Sequence, residues 1–168
     1  ELVIKLNNNV VIWPNIGGVR LNHLGSDVEN ITLGGVDAAG NDATNSFKYD
    51  VFEGLADNQI NGQYVYRFGG TNDADNSGVL QYVSIRHGGY VITGNKELNG
   101  LSLCALGNGT TIDHVECYAI ADDGFEFFGG TVNTKYLVSA FNDDDCFDTD
   151  QGYRGKNQCW FAIQENGK

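Results

Sequence analysis

The same pattern occurs twice within residues 111–152, at a fixed spacing of 22 residues. Its acidic, aromatic and glycine positions recur as matched pairs: Asp122 with Asp144, Asp123 with Asp145, Phe125 with Phe147, Glu126 with Asp148 and Gly130 with Gly152. A weaker third copy at this spacing places Cys159, Phe161 and Ile163 after Leu137, Ser139 and Phe141. Repetition with a period in the twenties indicates units that stack on one another and bury a shared core.

Each repeat consists of short strand patterns separated by turns. Runs such as Val83-Ser84-Ile85 and Val115-Glu116-Cys117 have the two-residue period of strands, and Gly and Asn separate them. No window has sustained helical spacing, and the frame of a leucine-rich repeat is absent, so we expect few and short helices. At ~3.3 Å per residue, a repeat of this length provides about three strands of roughly 4 to 6 residues. The pattern predicts an all-β fold, a parallel β-helix with coils of about 22 residues.

Length and charge restrict the possible functions. The 168 residues fit one β-helix domain, residues 1–168, and 23 Gly with a single Pro suit a turn-rich all-β chain. The net charge of −12 argues against a nucleic acid partner, which requires clustered Lys and Arg, and leaves room for cations. No apolar run approaches the ~20 residues of a membrane span. Residues 1–5 and 160–164 both read as strands in the middle of a stack, so we expect this chain to be a piece of a longer polypeptide.

The first 70 residues carry the repeat weakly but contain further strand signals. Apolar or alternating runs separated by Asn and Gly predict strands at residues 2–6, 10–13, 17–21, 31–36 and 64–68, with a polar loop at 37–46. A long turn at residues 71–78 is expected to lead into a strand at 79–85.

The four cysteines, Cys104, Cys117, Cys146 and Cys159, allow three full disulfide pairings, and their spacing selects none of them. No Cys-x-x-Cys is present, so a zinc site is not expected. In the repeat, Cys117 and Cys159 share the parity of inward-facing positions. Buried free thiols and one or two disulfides stay open as alternatives.

The motifs of the C-terminal half resemble those of a known family. Residues 77–85 match the coil motif S-G-x-L-x-Y-V-x-I, and the runs at 107–115, 122–131 and 142–150 are similar to further coils of the same proteins. These are pectate-lyase-like, right-handed parallel β-helix proteins of bacteria of the Bacteroidetes type, secreted or anchored at the surface. The resemblance implies a right-handed parallel β-helix and an extracellular or cell-surface location. It implies little about activity, because β-helices host lyases, hydrolases and adhesins.

The acidic positions of the repeat are candidate metal ligands. Residues one coil apart in a parallel stack lie ~4.8 Å from each other, so matched carboxylates repel by about 1 kcal/mol in water and about 4 kcal/mol at an effective dielectric of ~20. A cation would offset that repulsion, and oxygen ligands favour Ca²⁺. Gly124 is expected to allow a tight turn that gathers the carboxylates, and the alternative is a solvated acidic face. The predicted ligands are Asp122, Asp123, Glu126, Asp144, Asp145 and Asp148.

Two classes of enzyme would use the same coil face. A polysaccharide lyase would combine Ca²⁺ with a base, for which Arg86, Lys135 and Arg154 are available. A glycoside hydrolase would need two carboxylates ~5 to 9.5 Å apart. Asp144-Asp145-Cys146 resembles the D-D-C motif of polygalacturonases, and Arg86-His87-Gly88 weakly resembles their G-H-G motif. The order is reversed here, because the His motif precedes the Asp motif in the chain.

Aromatic residues near the acidic positions are candidates for ligand binding. Tyr118, Tyr136 and Trp160, together with Tyr82, are expected to form a stripe on the outer strand face, where sugar rings could stack. The same side chains could instead pack against loops. The sequence therefore predicts an extracellular, Ca²⁺-stabilised β-helix scaffold for adhesion or glycan binding, with polysaccharide or other surface proteins as partners and a lyase or hydrolase as the alternative.

Overall fold

The computed structural model describes residues 10–12, 19–22, 50–55, 59–60, 63–64, 66–69, 72–94 and 96–165. This part of the chain is made of short strands and one 3-10 helix, Phe52–Gly54, as expected for an all-β protein. The predictions for residues 2–6, 31–36 and 37–46 lie outside the described residues. The strands are β1 Val10–Ile12, β2 Val19–Asn22, β3 Asp50–Val51, β4 Gln59–Ile60, β5 Gln63–Tyr64, β6 Arg67–Phe68, β7 Val79–Arg86, β8 Tyr90–Thr93, β9 Lys96–Leu98, β10 Leu101–Cys104, β11 Thr111–Tyr118, β12 Phe125–Phe128, β13 Asn133–Lys135, β14 Val138–Ala140, β15 Phe147–Asp150, β16 Asn157–Gln158 and β17 Phe161–Ile163.

Two larger sheets contain the repeated strands. The first sheet has the order β1-β2-β10-β12-β15, and β2, β10, β12 and β15 pair in parallel. In the second sheet β7 lies on one side of β11, and β13 and β14 lie on the other side and continue into β16 and β17. All pairs in the second sheet are parallel. Outside these two sheets, β4 pairs with β5 and β8 pairs with β9 in small antiparallel hairpins.

The strand register follows the sequence repeat in its central part. Phe125 pairs with Phe147 and Glu126 with Asp148, as the spacing of 22 residues predicts. The preceding step is longer, because Val79 pairs with Thr111 and the β8–β9 hairpin lies between them. The repeat therefore predicts the strand register between these two layers, and the inserted hairpin obscures the repeat in the layer before them.

The third copy of the repeat is displaced by one residue from its predicted position. Phe161 pairs with Val138, not with Ser139. Phe128 still pairs with Asp150 at the original spacing, whereas Thr134 pairs with Asn157. The additional residue must therefore lie between Asp150 and Asn157, in the turn that precedes β16.

One residue in each layer of the second sheet has a left-handed backbone conformation. These residues have φ angles of 55° at Tyr82, 49° at His114, 54° at Tyr136 and 59° at Cys159. Tyr82 and His114 interrupt the two-residue alternation of β7 and β11, whereas Tyr136 and Cys159 lie between successive strands. The buried positions on the two sides are three residues apart, as with Ile112 and Val115. Cys159 belongs to this column and is exposed, so its predicted inward position is wrong, while Cys117 is buried as expected. All four cysteines are free thiols.

The core has two parts, one on each side of the first sheet. The main core contains buried residues from both sheets, including Phe125 and Phe127 of β12. Phe128 points to the opposite side and packs with Phe52 and Phe68, which come from the segment around the 3-10 helix. Burial of each phenylalanine contributes about 1.5–3 kcal/mol. As a result, residues 52–55 and 66–68 cover part of the outer side of the first sheet.

Candidate functional site

The predicted acidic ligands lie on and beside the outer side of the first sheet. Glu126 pairs with Ser102 of β10 on one side and with Asp148 of β15 on the other, which forms a polar row across three strands. Asp122 and Asp123 immediately precede β12, and Asp144 precedes β15. The parallel register thus brings acidic residues of successive layers together, because equivalent positions of neighbouring strands lie side by side.

Five of the six predicted carboxylates form two groups that share Asp123. In the outer group, carboxylate oxygens of Asp122, Asp123 and Asp144 lie within 4.8 Å of one another. In the inner group, the same limit holds for Asp123, Glu126 and Asp148. Asp144 is exposed, whereas only 8% of Glu126 is exposed. The outer group therefore faces solvent and the inner group lies beneath the surface.

Asp145 does not join either group in the described part of the chain. Its side chain is exposed, and its backbone N–H donates a hydrogen bond to the Asp123 Oδ1 atom over 2.9 Å. Asp145 therefore orients the carboxylate that the two groups share. Its own carboxylate is not one of the grouped oxygens of the described residues, and its role as a metal ligand stays a prediction.

Gly124 lies in a bend just before β12, as predicted, and its φ lies outside the left-handed region. Its small size is the property that the neighbouring layer requires. A Cβ atom at this position would overlap the side chains of Ser139 and Asn142 and would lie 2.9 Å from the carbonyl oxygen of Cys146. The absence of a side chain lets the next layer approach, and the Gly124 N–H donates to the Asp145 carbonyl over 2.9 Å. Close approach of the layers is what gathers the acidic side chains.

Two further polar residues, missed in the sequence, contact the inner group. The Asn99 Nδ2 atom donates hydrogen bonds to Glu126 Oε2, to Ser102 Oγ at 3.2 Å and to Glu53 Oε1 at 3.4 Å. Asn99 is 2% exposed, and its Oδ1 atom has no hydrogen-bond partner in the part of the chain that the structure describes. Asn99 stands 24 residues before Asp123, the spacing that also separates Leu101 from Phe125, so the register could have revealed it. No repeat signal exists for Glu53, which belongs to the 3-10 helix.

Burial and mutual repulsion disfavour the ionised form of several of these carboxyl groups. Burial, opposed in part by the Asp145 N–H, raises the pKa of Asp123 to about 7. Burial and then the charge of Glu97 raise the pKa of Asp122 to about 6. Burial and then the charge of Glu53 raise the pKa of Glu126, and burial raises that of Glu53. The ion pairs of the described residues bring no Lys or Arg to the two groups, so protonation or a cation would have to offset the repulsion.

The predicted ligand-binding residue Tyr136 belongs to an exposed column of stacked rings on the second sheet. The ring of His114 lies between those of Tyr82 and Tyr136, with centroid distances of 4.7 and 4.6 Å. Tyr82 is 78% exposed and Tyr136 47%. The His114 Nδ1 atom lies 2.7 Å from Asp113 Oδ1, which fixes the imidazole in the column.

Tyr118 forms a second aromatic group farther along β11. The Arg86 guanidinium lies 4.9 Å from its ring centroid, and the rings of His87 and Phe141 meet it edge-on at 5.9 and 5.7 Å. Arg86 also contacts the Glu116 carboxylate, with an Nη2–Oε2 distance of 2.6 Å. Tyr118 is half-buried, so its ring is fixed by neighbours on several sides.

Trp160 does not belong to the exposed aromatic surface, contrary to the predicted stripe. Its ring stacks on Phe147 at 4.2 Å and on Phe127 at 5.4 Å, and its Nε1–H donates to Thr134 Oγ1 over 2.8 Å. The left-handed residue Cys159 shifts the alternation between β16 and β17 and turns the next side chain toward the main core. The indole therefore extends the aromatic core.

Comparison with known proteins identifies the family. A family model described as a pectate-lyase-like beta helix domain matches residues 25–168. Searches of curated proteins and of solved structures gave no match. Within the described residues, no helix has the length and apolar character needed to cross a membrane. A match over most of the chain, together with the parallel strand stacks, shows that this protein belongs to the pectate-lyase-like beta helix domain family.

Proposed function

We propose that this chain is a non-catalytic extracellular scaffold, a right-handed β-helix with coils of about 22 residues that binds glycans and is stabilised by Ca²⁺. The observation that carries the proposal is the outer face of the second sheet, where an exposed column of stacked rings lies beside hydrogen-bonded pairs of polar side chains. The extracellular or cell-surface location, and an origin in bacteria of the Bacteroidetes type, rest on the resemblance of the coil motifs. Polysaccharide or other surface proteins are the proposed partners.

The hydrogen-bonded polar side chains on this face of the second sheet support glycan binding because they lie next to the aromatic groups of β11. His114 and Tyr118 are four residues apart on β11, about 13 Å at ~3.3 Å per residue. Between and beside them, Gln81 Nε2 donates to Asp113 Oδ2 over 2.8 Å, and Ser84 Oγ donates to Glu116 Oε2 over 2.5 Å. These bonds hold the polar groups in place on an exposed surface. Ring faces for stacking and fixed hydrogen-bonding groups for hydroxyls together suit a sugar chain.

Replacement of the exposed tyrosines is the direct test of glycan binding. We expect Tyr82→Ala and Tyr136→Ala each to weaken binding to the glycan found by array screening by about tenfold, since an aromatic contact contributes about 0.5–1.5 kcal/mol beyond its area. Binding would be measured by calorimetry with the selected oligosaccharide. Tyr90→Ala is the matched control, because Tyr90 is also exposed but lies in the β8–β9 hairpin. An equal loss in the control, or a glycan that binds all three variants like wild type, would contradict this surface.

The outer group supports the proposed Ca²⁺. Three carboxylates from two successive layers converge there, and that of Asp144 is exposed to solvent. Ca²⁺ accepts several carboxylate oxygens with flexible geometry, and the acidic chain offers it a favourable field. An ion at this place would link the segment before β12 to the segment before β15.

Thermal melts in EDTA and in millimolar Ca²⁺ test this site. We expect Ca²⁺ to raise the melting temperature of the wild type, with a stabilisation of about 2.7 kcal/mol at ~100 times the dissociation constant. Asp144→Asn should lose the part of this increase that the outer group supplies, because it removes a carboxylate of that group. Asp150→Asn is the matched control: Asp150 is exposed at the end of β15, and its Oδ1 accepts the Gln151 N–H. Equal responses of the two variants would argue against the outer group.

The catalytic alternatives receive less support from the geometry. Of the candidate lyase bases, Arg86 is paired with Glu116, and Arg154 contacts Asp73 at 2.8 Å. Within each group, one oxygen of every carboxylate lies within 4.8 Å of the others, an arrangement that suits a shared cation, whereas glycoside hydrolases hold two carboxylates ~5 to 9.5 Å apart across a sugar. Appearance of unsaturated or new reducing ends in the incubated glycan would replace the binding proposal by one of these activities.

A further inference from the structure

We propose that the inner group is a second cation site, completed by Glu53 and Asn99, and that the bound ion fastens residues 50–55 to the first sheet. This site shares Asp123 and the choice of Ca²⁺ with the outer group, and so rests in part on the proposed function. Its other ligands are separate from those of the outer group. The two sites can therefore be tested independently.

The unpaired oxygen of Asn99 carries this inference. Asn99 is 98% buried, given its 2% exposure, and the Nδ2 end of its amide points at Glu126 and Glu53. The Oδ1 atom, at the other end of the amide, receives no hydrogen bond from the described residues. A buried polar atom without a partner costs about 1–3 kcal/mol, and a cation is a partner for an oxygen that no N–H or O–H reaches. Amide oxygens are common Ca²⁺ ligands, and rotation of the amide would exchange its two ends.

The position of Glu53 supplies a further carboxylate from outside the repeat. Its Oε1 atom lies 3.4 Å from the same Asn99 Nδ2 atom that contacts Glu126 Oε2. Two carboxylates thus meet at one amide, next to Asp123 and Asp148 of the inner group. Glu97 adds another negative charge nearby. An ion here would have carboxylate ligands on several sides and an amide oxygen on another.

The proposed ion would link residues 50–55 to the first sheet, because Glu53 belongs to this segment, which covers the sheet. Phe52 packs edge-on against Phe128 at 5.6 Å, and Lys96 donates a hydrogen bond to the Gly54 carbonyl. These contacts hold the 3-10 helix over the outer side of the first sheet. A Glu53–ion–Glu126 link would add a bond between the covering segment and β12. Loss of the ion would loosen that segment while the strand stack remains.

Ca²⁺ stoichiometry, measured by equilibrium dialysis on the whole chain, tests the proposal. We expect about two Ca²⁺ per wild-type chain and about one in each of Glu53→Gln and Asp144→Asn. Glu53→Gln retains the shape and hydrogen-bonding capacity of the side chain, so the variant should fold, which a melt in EDTA would verify. One ion in wild type that Asp144→Asn loses and Glu53→Gln keeps would overturn the inner site and leave the outer site standing. One ion lost only in Glu53→Gln would support the inner site and overturn the outer one, and no bound ion would overturn both.

Asn99→Asp provides a second, independent readout. If Asn99 is a cation ligand, the added carboxylate should destabilise the chain in EDTA and increase the Ca²⁺-dependent rise in melting temperature above that of wild type. If Asn99 serves only as an N–H donor to Glu126, the variant should be destabilised with no larger response to Ca²⁺. The second result would overturn the role assigned to Asn99. Limited proteolysis within residues 50–69, faster in EDTA than in Ca²⁺ for wild type but not for Glu53→Gln, would confirm the fastening role.

Discussion

Phe127→Ala is expected to lower the free energy of unfolding by about 3–5 kcal/mol, the usual cost of deleting a buried aromatic ring. Phe127 is 0% exposed and lies in the main core. Its ring packs against Tyr153 at 4.6 Å and Trp160 at 5.4 Å, so the deletion removes contacts to two aromatic rings of the next layer. The strands on either side are hydrogen bonded in register and cannot collapse into the space. The resulting cavity should therefore remain largely open.

Chemical denaturation monitored by tryptophan fluorescence measures this effect, because Trp160 reports on the same ring cluster. Phe161→Ala is the matched control, since Phe161 is the same residue type with 56% exposure and should change stability by at most about 0.5 kcal/mol. A loss below about 1 kcal/mol for Phe127→Ala would show that the layers relax around the deletion and that the stack is looser than its register indicates.

The repeat allowed the register of the central layers to be predicted because each of its positions has a fixed environment. Phe125 and Phe147 stack in the core at 5.2 Å, and Glu126 and Asp148 face the other side, so both classes of residue recur together. The acidic positions of the repeat can be recognised in the sequence for the same reason. Most of the candidate metal ligands could therefore be named without a structure.

The third layer could not be placed correctly, for two local reasons. An additional residue before β16 changes the register, and left-handed residues such as Tyr136 and Cys159 break the alternation between successive strands. A period of two residues assumes extended backbone at every position. The predicted inward position of Cys159 and the predicted outer position of Trp160 are therefore both wrong.

The covering segment explains why the candidate site was incomplete in the sequence. Glu53 reaches the inner group through tertiary packing of Phe52 on Phe128, and no local pattern encodes that contact. Asn99 replaces an acidic residue at its position in the stack, so a search for matching carboxylates passes over it. Mixed ligand sets assembled from distant segments are visible only once the chain is folded.

Gly124→Ala should destabilise the chain by about 3 kcal/mol or more, since overpacking against atoms that cannot move is costlier than the usual 1–3 kcal/mol. The added methyl group would overlap Ser139 and Asn142, which hydrogen bond to each other over 2.6 Å inside the stack. It would also press on the Cys146 carbonyl, which accepts the Phe125 N–H. Relief requires the layers to separate at the point where Asp123 and Asp145 meet.

The same separation of the layers should also reduce the stabilisation of Gly124→Ala by Ca²⁺. Separation of the layers should pull Asp144 and Asp148 away from Asp123, so the variant should lose most of its stabilisation by Ca²⁺ as well as its intrinsic stability. Gly94→Ala is the matched control, because a Cβ atom there would meet nothing within 4 Å. Since φ is +55° at Gly94, the alanine should still cost about 1 kcal/mol of backbone strain. Equal destabilisation of the two variants would mean that backbone conformation, and not the space between layers, requires glycine at residue 124. A Gly124→Ala protein that is unstable but keeps the full Ca²⁺ response would place the cation away from both carboxylate groups.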